Sequence, residues 1–173
     1  MLTLNTKVDH AEKIDGELKL PYELREKSRL RAALISGEEV AVFTVRGTVL
    51  RDGDLLRGDD GRVIKIIAAP EATYRVDCTT AHALLRCAFH LGNRHTQAQV
   101  GDHAGQGFLR IRKDPVLKDM LTGLGAAVTE EQAPFEPESG AYGGGHHHDD
   151  GHAYNPLAPI PLRQKIHRPG DKS

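Results

Sequence analysis

The residues with the clearest capacity for chemistry form a short run near the end of the chain. After three glycines at 143–145, seven residues carry four imidazoles and two carboxylates, in the order His146, His147, His148, Asp149, Asp150, Gly151, His152. Imidazole nitrogen together with carboxylate oxygen suits nickel, copper, zinc or cobalt, whereas magnesium and calcium prefer oxygen alone. The run therefore predicts a protein that binds a divalent transition metal ion.

Two other interpretations of this histidine run are open. A purification tag is disfavoured, because Asp149, Asp150 and Gly151 interrupt the run and twenty-one further residues, 153–173, follow it. A solvated low-complexity tail whose histidines bind nothing would have the same composition, and composition alone does not exclude it.

Length and charge narrow the class of protein. The 173 residues suffice for one medium domain or two small ones, and 23 Lys and Arg against 24 Asp and Glu leave a net charge of -1. Such a balance disfavours nucleic acid or an anionic membrane as a partner. The sequence has no apolar run of about eighteen residues and opens without a basic segment followed by an apolar one, which predicts a cytoplasmic protein. Cys78 and Cys87 form no Cys-x-x-Cys pair and are expected to be buried thiols.

Residues 1–73 have the pattern of a small all-β domain. Runs with strand character, separated by turn residues, occur at 17–20, 28–31, 40–45 and 62–67. They predict a small open barrel or sandwich. Four cations in this part predict a basic stripe, interpreted as a solvated edge strand or as a contact for an acidic partner: Arg25, Lys27, Arg29 and Arg31.

Residues 74–133 predict a ferredoxin-like domain with the element order βαββαβ. A strand at 74–78 precedes a helix at about 80–91, for which Gly92 or Asn93 supplies the left-handed residue at the end. Strands at 97–100 and 107–111 follow, and a last strand lies at 126–129. The predicted apolar face of the first helix consists of Ala81, Leu84, Leu85 and Ala88.

The second helix of this domain has clear signals at both ends. Asp114 and Pro115 open it, since proline at the first helical position has a preset φ, and Gly125 closes it. From 134 onward, proline and glycine interrupt polar residues so often that burial cannot offset the ordering entropy, which predicts a flexible His-rich tail at 134–173. The expected fold class is therefore α+β, with an all-β domain, a ferredoxin-like domain and this tail.

A second group of candidate ligands is the pair His90 and His95. His90 lies in the last turn of the first predicted helix, where its interaction with the helix dipole is an equally good explanation. His95 follows that helix, and a hydrogen-bonded loop histidine is the alternative for it. One imidazole binds metal weakly, so His95 needs partners, and a two-fold axis would supply the same residue from a second subunit.

The segment around these two histidines resembles a known signature. His90-Leu-Gly-Asn-Arg-His95, followed by Gln97 and Gln99, is similar to the motif of the urease accessory protein E family, the nickel metallochaperones of urease maturation. The resemblance covers about residues 2–132 and includes further matching runs at 25–31, 46–47, 50–55, 60–61 and 117–121. The His-rich tail is a common addition in that family.

The resemblance implies a homodimer in which ferredoxin-like domains meet at the axis and a pair of His95 residues forms the central Ni(II) site. It also implies delivery of nickel to the urease apoprotein complex together with its accessory GTPase. The N-terminal domain would resemble a peptide-binding module of heat-shock cochaperones and serve partner contact. The candidate metal ligands are His95, His146, His147, His148 and His152, with His90 and His167 as secondary candidates.

The chain departs from the family pattern at one place, and no metal ligand can be assigned there by resemblance. Some members carry a His-x-His pair before the second helix, where this chain has Arg110-Ile-Arg-Lys113, so no auxiliary site is assigned there. Extra ligands would have to come from the tail. His10, His82 and His103 match no family ligand and are expected to be surface or structural histidines.

The pattern of residues distinguishes three classes of function. A nickel carrier accounts for both histidine groups, while a metalloenzyme would need ligands on rigid elements and a general base, and neither His-Glu-x-x-His nor a nucleophile elbow is present. The chain is therefore expected not to be an enzyme. The alternative to the carrier is a cytoplasmic zinc or nickel buffer or sensor, since Zn(II) and Cu(II) would compete for the same ligands.

Overall fold

The computed structural model describes residues 1–139, which form ten strands and three helices. The N-terminal half contains β1 (Leu2–Val8), β2 (Gly16–Leu20), α1 (Tyr22–Arg25), β3 (Arg29–Ala33), β4 (Glu39–Phe43), β5 (Leu55–Gly58) and β6 (Val63–Ala68). The C-terminal half contains β7 (Pro70–Asp77), α2 (Ala81–Asn93), β8 (Ala98–His103), β9 (Gln106–Arg112), α3 (Pro115–Gly123) and β10 (Ala127–Pro134). None of these helices is long and apolar enough to cross a lipid bilayer.

The first six strands form one mixed sheet in the order β2-β6-β5-β1-β4-β3. Its two edges approach each other just after β3, where the amide of Ile35 donates to the carbonyl of Glu17 at 2.9 Å. The sheet therefore curls into a small open barrel, which is one of the two predicted architectures. A two-sheet sandwich is not what these residues form.

The interior of this barrel is filled by the strands themselves, because no long helix covers the sheet. Alternate residues of each strand point inward, as the period of two requires. The buried cluster is almost entirely aliphatic and includes Leu2, Leu4, Leu18, Leu20, Val40, Val42, Leu56, Ile64 and Ile66.

The last four strands form a second sheet in the order β10-β7-β9-β8, in which all neighbours are antiparallel. α2 and α3 pack on one face of it, over buried residues such as Tyr74, Val76, Leu109 and Ile111. This order of elements and strands is the split βαβ pattern of ferredoxin-like domains. The predicted order βαββαβ is confirmed.

α2 buries a different face from the one predicted. Thr80 caps its start by accepting a hydrogen bond from the amide of Ala83 at 3.1 Å. The buried residues are Cys87 and Leu91, with Leu84 partly buried beside them, whereas Leu85 is 69% exposed. The prediction gave weight to Leu85 and left out Cys87, so the predicted face was rotated away from the sheet.

α3 buries the residues that its sequence pattern predicts. Asp114 caps it by accepting hydrogen bonds from the amides of Val116 and Leu117, and Pro115 occupies the first turn. Leu117 and Leu121 are buried, with Met120 and Leu124 partly buried.

The chain stays ordered in contact with the rest of the molecule beyond the position where flexibility was expected. β10 continues to Pro134, and the ring of Phe135 is fully buried and packs edge-to-face on Tyr22, with 5.5 Å between ring centroids. The structure thus differs from the predicted flexible tail at 134–139. Composition could not reveal this, because the contacts that hold these residues come from α1, more than a hundred residues earlier. The rest of the predicted tail, 140–173, lies outside the described residues.

Arg25 is also not part of a solvated basic stripe. Its side chain is fully buried at the end of α1 and donates to the carbonyls of Leu20, Leu50 and Phe135 and to the carboxylate of Glu136. Four acceptors satisfy the buried guanidinium, as a buried charge requires. Arg29 and Arg31 are exposed on the edge strand β3, as predicted.

Candidate metal centre at the end of the second helix

His95 occupies a special position in the backbone where α2 ends. Its amide donates to the carbonyl of Gly92 at 2.9 Å, and the amide of Thr96 donates to the carbonyl of Leu91 at 3.1 Å. These two hydrogen bonds define a Schellman motif, in which the residue after the C-cap adopts a left-handed conformation. Arg94 is the C-cap and His95 is the left-handed residue, with φ at 52°.

The prediction that Gly92 or Asn93 supplies the left-handed residue is wrong. The helix continues through both, and the turn falls two residues later on a histidine. Left-handed backbone costs a side-chain-bearing residue roughly 1–2 kcal/mol relative to the right-handed form. Histidine is one of the residue types found there more often than average, yet glycine is far more common.

The imidazole of His95 is exposed, and within residues 1–139 it makes no side-chain hydrogen bond. Among these residues no group of three or more His, Cys, Asp or Glu side chains comes close enough together to hold a metal ion. His95 alone supplies one ligand, so a stable site at this position needs donors from elsewhere in the chain or from another molecule.

His95 lines an open cleft of about 490 Å³. One wall comes from the turn after α2, with Arg94, Thr96 and Gln97, and another from the end of β9 and the start of α3. The N-terminal half contributes Glu26. The residues on the β9 and α3 side are Arg112, Lys113, Asp114 and Leu117.

His90 is the secondary candidate ligand that lies within the described residues, and it does not line this cleft. It lies in the last turn of α2, half-buried, with its ring edge-to-face with Phe89 at 5.5 Å between centroids. Its position at the helix C-terminus fits the structural interpretation. His10, His82 and His103 are exposed, as expected for surface histidines. His146, His147, His148, His152 and His167 lie outside the described residues.

Arg110, on the strand to which no auxiliary metal site was assigned, has a structural role. Its guanidinium donates to Glu131 at 2.6 Å and to Gln99 at 3.3 Å, and it lies over the ring of Phe108. A guanidinium held in this way repels a metal cation.

α2 presents a second apolar face to the outside. Leu85 and Phe89 are one turn apart and 69% and 64% exposed, so they form an apolar patch on the helix that ends at His95. α3 exposes only one large apolar residue, Val116. These two apolar side chains therefore do not pack against the sheet that α2 covers.

The two cysteines lie beneath α2 as buried thiols, and the predicted burial is confirmed. Their sulfur atoms are 3.9 Å apart. Burial, together with the neighbouring thiol of Cys87, raises the pKa of Cys78 to about 11. Cys78 is therefore protonated at neutral pH and is a poor metal ligand in this state, because metal binding requires the thiolate.

Both halves of the chain match models of one protein family. The model described as UreE urease accessory protein, N-terminal domain, matches residues 3–69, and that of the UreE C-terminal domain matches residues 71–156. The chain belongs to the urease accessory protein UreE family. The C-terminal match extends through the histidine run at 146–152.

Curated relatives in this family are similar over nearly the whole length. The urease accessory protein UreE of Janthinobacterium sp. (strain Marseille) is 74% identical over 173 residues, covering 100% of this chain and 99% of the relative. Those of Nitrosospira multiformis and Azotobacter vinelandii are 66% and 49% identical, covering 99% and 87% of this chain and 98% and 89% of the relatives. Because the first alignment includes the tail, a purification tag no longer explains the histidine run.

Membership in the UreE family settles two of the expectations from sequence. The resemblance to urease accessory proteins is confirmed, and so is the expectation that the chain is not an enzyme, since the family consists of accessory proteins of an enzyme. Sequence reasoning did not anticipate that Arg94 and Arg112 line the cleft or that Leu85 and Phe89 are exposed. Arg94 stood within the recognised motif, and Leu85 stood out as an apolar residue without a place on the buried face.

Proposed function

We propose that this protein is a nickel metallochaperone that binds Ni(II) at His95 and delivers it to the urease apoprotein during assembly of the urease metallocentre. The observation that carries the proposal is the placement of His95: an exposed imidazole on a left-handed helix cap, where glycine would be the more stable choice. Strained backbone is retained where a particular side chain is needed.

The second donor comes from a second copy of the chain in a homodimer. The exposed pair Leu85 and Phe89 lies on the helix that ends at His95, so a seam that buries this patch brings the two His95 imidazoles near one axis. An isologous contact places the same residue from both subunits together. The central site then has two imidazoles and open positions for further ligands.

Further ligands come from the tail, with His146, His147, His148 and His152 as first candidates and His90 and His167 as secondary ones. Such a site is incomplete without the tail and exchanges its metal readily, unlike a structural zinc site closed by four fixed ligands. Ready exchange is the property that a carrier requires. Zn(II) and Cu(II) compete with Ni(II), because imidazole accepts all three.

Transfer of nickel occurs in the cytoplasm within a complex of the urease apoprotein and its accessory GTPase, and the N-terminal barrel serves partner contact. Support for the compartment comes from membership in a family of urease accessory proteins. Neither nucleic acid nor a membrane is a partner in this proposal, given the balanced charge of the chain.

The alternative is a zinc or nickel buffer or sensor without a delivery role. The clustered histidines of the tail favour it to the extent that they bind metal on their own. A buffer stores metal at many similar sites, whereas the carrier has one tighter site that depends on His95 and on dimerisation.

Nickel titration of the full-length protein tests the proposal. We expect about one tight Ni(II) per dimer plus weaker sites. His95→Asn, which keeps a residue suited to left-handed backbone, should remove the tight site and leave the weak ones. Replacing the four tail histidines by asparagine should remove the weak sites and also weaken the tight one, to which the tail contributes ligands. If His95→Asn leaves every nickel affinity unchanged, His95 is not the central ligand; if all sites are weak and equal, the buffer is the correct function.

A further inference from the structure

The strap, residues 135–139, connects the N-terminal barrel to the strand that follows His95. The amide of Glu138 in the strap donates to the carbonyl of Ala98 at 2.9 Å. Ala98 is the first residue of β8 and comes three positions after His95. The strap therefore borders the backbone that leaves the His95 turn.

This contact matters because β8 lies at an edge of its sheet. The order β10-β7-β9-β8 gives β8 one strand neighbour, β9. Along the first two residues of β8 the strap supplies partners on the open side, since the amide of Glu136 also donates to the side-chain oxygen of Gln99, at 3.0 Å. An edge strand without such partners opens more readily, because fewer hydrogen bonds have to break.

A buried arginine fixes the strap to the N-terminal barrel. Arg25 is fully buried and donates to the carbonyl of Phe135 and to the carboxylate of Glu136. The ring of Phe135 is buried as well, against Tyr22. Separating the strap from α1 would leave the guanidinium without these acceptors in the interior, so the contact is expected to persist in the folded protein.

Arg51 makes a second attachment, from the loop between β4 and β5. Its guanidinium donates to the carboxylate of Glu136 at 2.9 Å, to the carbonyl of Pro137 at 2.8 Å and to the hydroxyl of Ser139 at 2.8 Å. Its side chain is 30% exposed, unlike that of Arg25. Arg51 can therefore be replaced without leaving a buried charge unpaired, because Arg25 and Glu136 still pair with each other.

We propose that Glu136 is a positioning residue of the nickel site, through which the N-terminal barrel holds the start of β8 and so the backbone that leaves His95. Its carboxylate is held by the barrel, and its amide holds Gln99. Glu136 acts through the backbone and does not contact the metal. This inference rests on the proposed Ni(II) site at His95 and gives the barrel a role in that site besides partner contact.

The effect on nickel follows from the fraction of molecules in which the turn has the competent conformation. The apparent dissociation constant rises as that fraction falls. In the proposed dimer both His95 turns must be competent at once, so the two fractions multiply. If release of the strap lowers each fraction to about one half or one third, the affinity falls about fourfold to ninefold.

Two measurements on the full-length protein test this role. Hydrogen exchange of the metal-free protein reports on opening of the backbone at 96–99, and isothermal titration reports on the tight Ni(II) site. Arg51→Met and Glu136→Gln should each speed exchange at 96–99 about tenfold and weaken the tight site about fourfold to ninefold. The weaker nickel sites should be unchanged, because they do not depend on this turn.

Arg62→Met is the matched control. Arg62 is also a partly exposed arginine of the barrel that pairs with two carboxylates, those of Glu38 and Asp60. Within residues 1–139 it makes no hydrogen bond to the strap. Its replacement should lower the free energy of unfolding and leave both the exchange at 96–99 and the tight nickel affinity as they are.

The inference is overturned if Arg51→Met and Glu136→Gln leave exchange at 96–99 unchanged, or if exchange rises while the tight affinity stays the same. An equal loss of affinity in Arg62→Met also overturns it, since general destabilisation of the barrel would then be the cause. In these cases the nickel site stands as long as His95→Asn abolishes it. Failure of His95→Asn to do so removes the proposed function, and this inference with it.

Discussion

The helices α2 and α3 end with the same backbone geometry but with different residues at the position that matters. In α2 the amides of His95 and Thr96 donate back at 2.9 and 3.1 Å, and in α3 the amides of Gly125 and Ala126 do so at 2.9 and 3.1 Å. The left-handed residue is His95, with φ at 52°, in the first and Gly125, with φ at 88°, in the second. α3 has the residue that stability favours, and α2 has an imidazole.

The difference teaches where this chain gives up stability for function. The turn at Gly125 only has to reverse the chain into β10, so glycine serves it best. In the proposed function, the turn at His95 also presents a metal-binding side chain to the cleft before β8. A Schellman motif fixes the backbone conformation of the residue after the C-cap, so it also fixes the position of the His95 Cβ. The two helix ends therefore offer matched positions at which stability and metal binding can be separated.

The largest effect is expected from the apolar patch that α2 has and α3 lacks. Leu85→Glu with Phe89→Glu should convert the proposed dimer into monomers and weaken the tight nickel site at least tenfold, because a buried seam cannot accommodate two carboxylates and the second His95 is lost. Sedimentation and nickel titration measure this. Val116→Glu on α3 is the control, since Val116 is 74% exposed and outside the proposed seam. A dimer that survives the double change would place the seam elsewhere.

The next effect concerns stability at the α3 end. A Cβ added at Gly125 meets nothing within 4 Å, so the cost of Gly125→Ala is conformational alone. We expect the free energy of unfolding to fall by about 1–2 kcal/mol, measured by denaturant titration, with nickel affinity unchanged. Loss of nickel affinity in this variant would mean that the two helix ends are not independent.

A smaller change of opposite sign is expected at the α2 end. His95→Gly relieves the left-handed strain, and the free energy of unfolding should rise by up to about 1 kcal/mol. His95→Ala, which keeps a Cβ without the local hydrogen-bonding capacity of histidine, should not be stabilising. A marked loss of stability in His95→Gly would show that the imidazole makes structural contacts and is not reserved for metal.

The smallest effect lies in the packing beneath α2, where Cys78 and Cys87 lie. Burial raises the pKa of Cys78 from 9.0 to about 11, so the unfolded thiol releases its proton at lower pH than the folded one. The free energy of unfolding should therefore fall as the pH rises from about 9 towards 11. Cys78→Ala should make this decline shallower, and an unchanged slope would contradict the raised pKa.

Much of the fold is predictable from local signals. Thr80, the pair Asp114–Pro115 and Gly125 mark helix ends as their chemistry requires, and alternation in the N-terminal half marks strands. The ferredoxin-like order follows from these signals. They are local, so a single sequence reveals them.

The errors arise where a distant contact or a function decides. Leu85 misled the assignment of the buried face of α2, because an apolar residue destined for another surface has the same pattern as a core residue. Gly92 and Asn93 are better left-handed residues than His95, and only the structure places the turn on the histidine. Phe135 and Glu136 follow a proline in a polar stretch, yet Tyr22 and Arg25 hold them.

The sequence names His95 as a candidate ligand, but it does not reveal which residues surround it. The motif pointed to His95, whereas the cleft cations Arg94 and Arg112 come from two elements that only the fold brings together. The tail histidines were identified by composition, and their joint action with His95 stays a prediction.

Nickel titration of the full-length His95→Gly variant beside Gly125→Ala bears most directly on the idea that α2 ends on a histidine to bind metal. We expect His95→Gly to lose the tight nickel site while remaining folded and at least as stable as the parent. Gly125→Ala should keep the site and lose stability. A His95→Gly protein that still binds nickel as tightly as the parent would contradict the assignment.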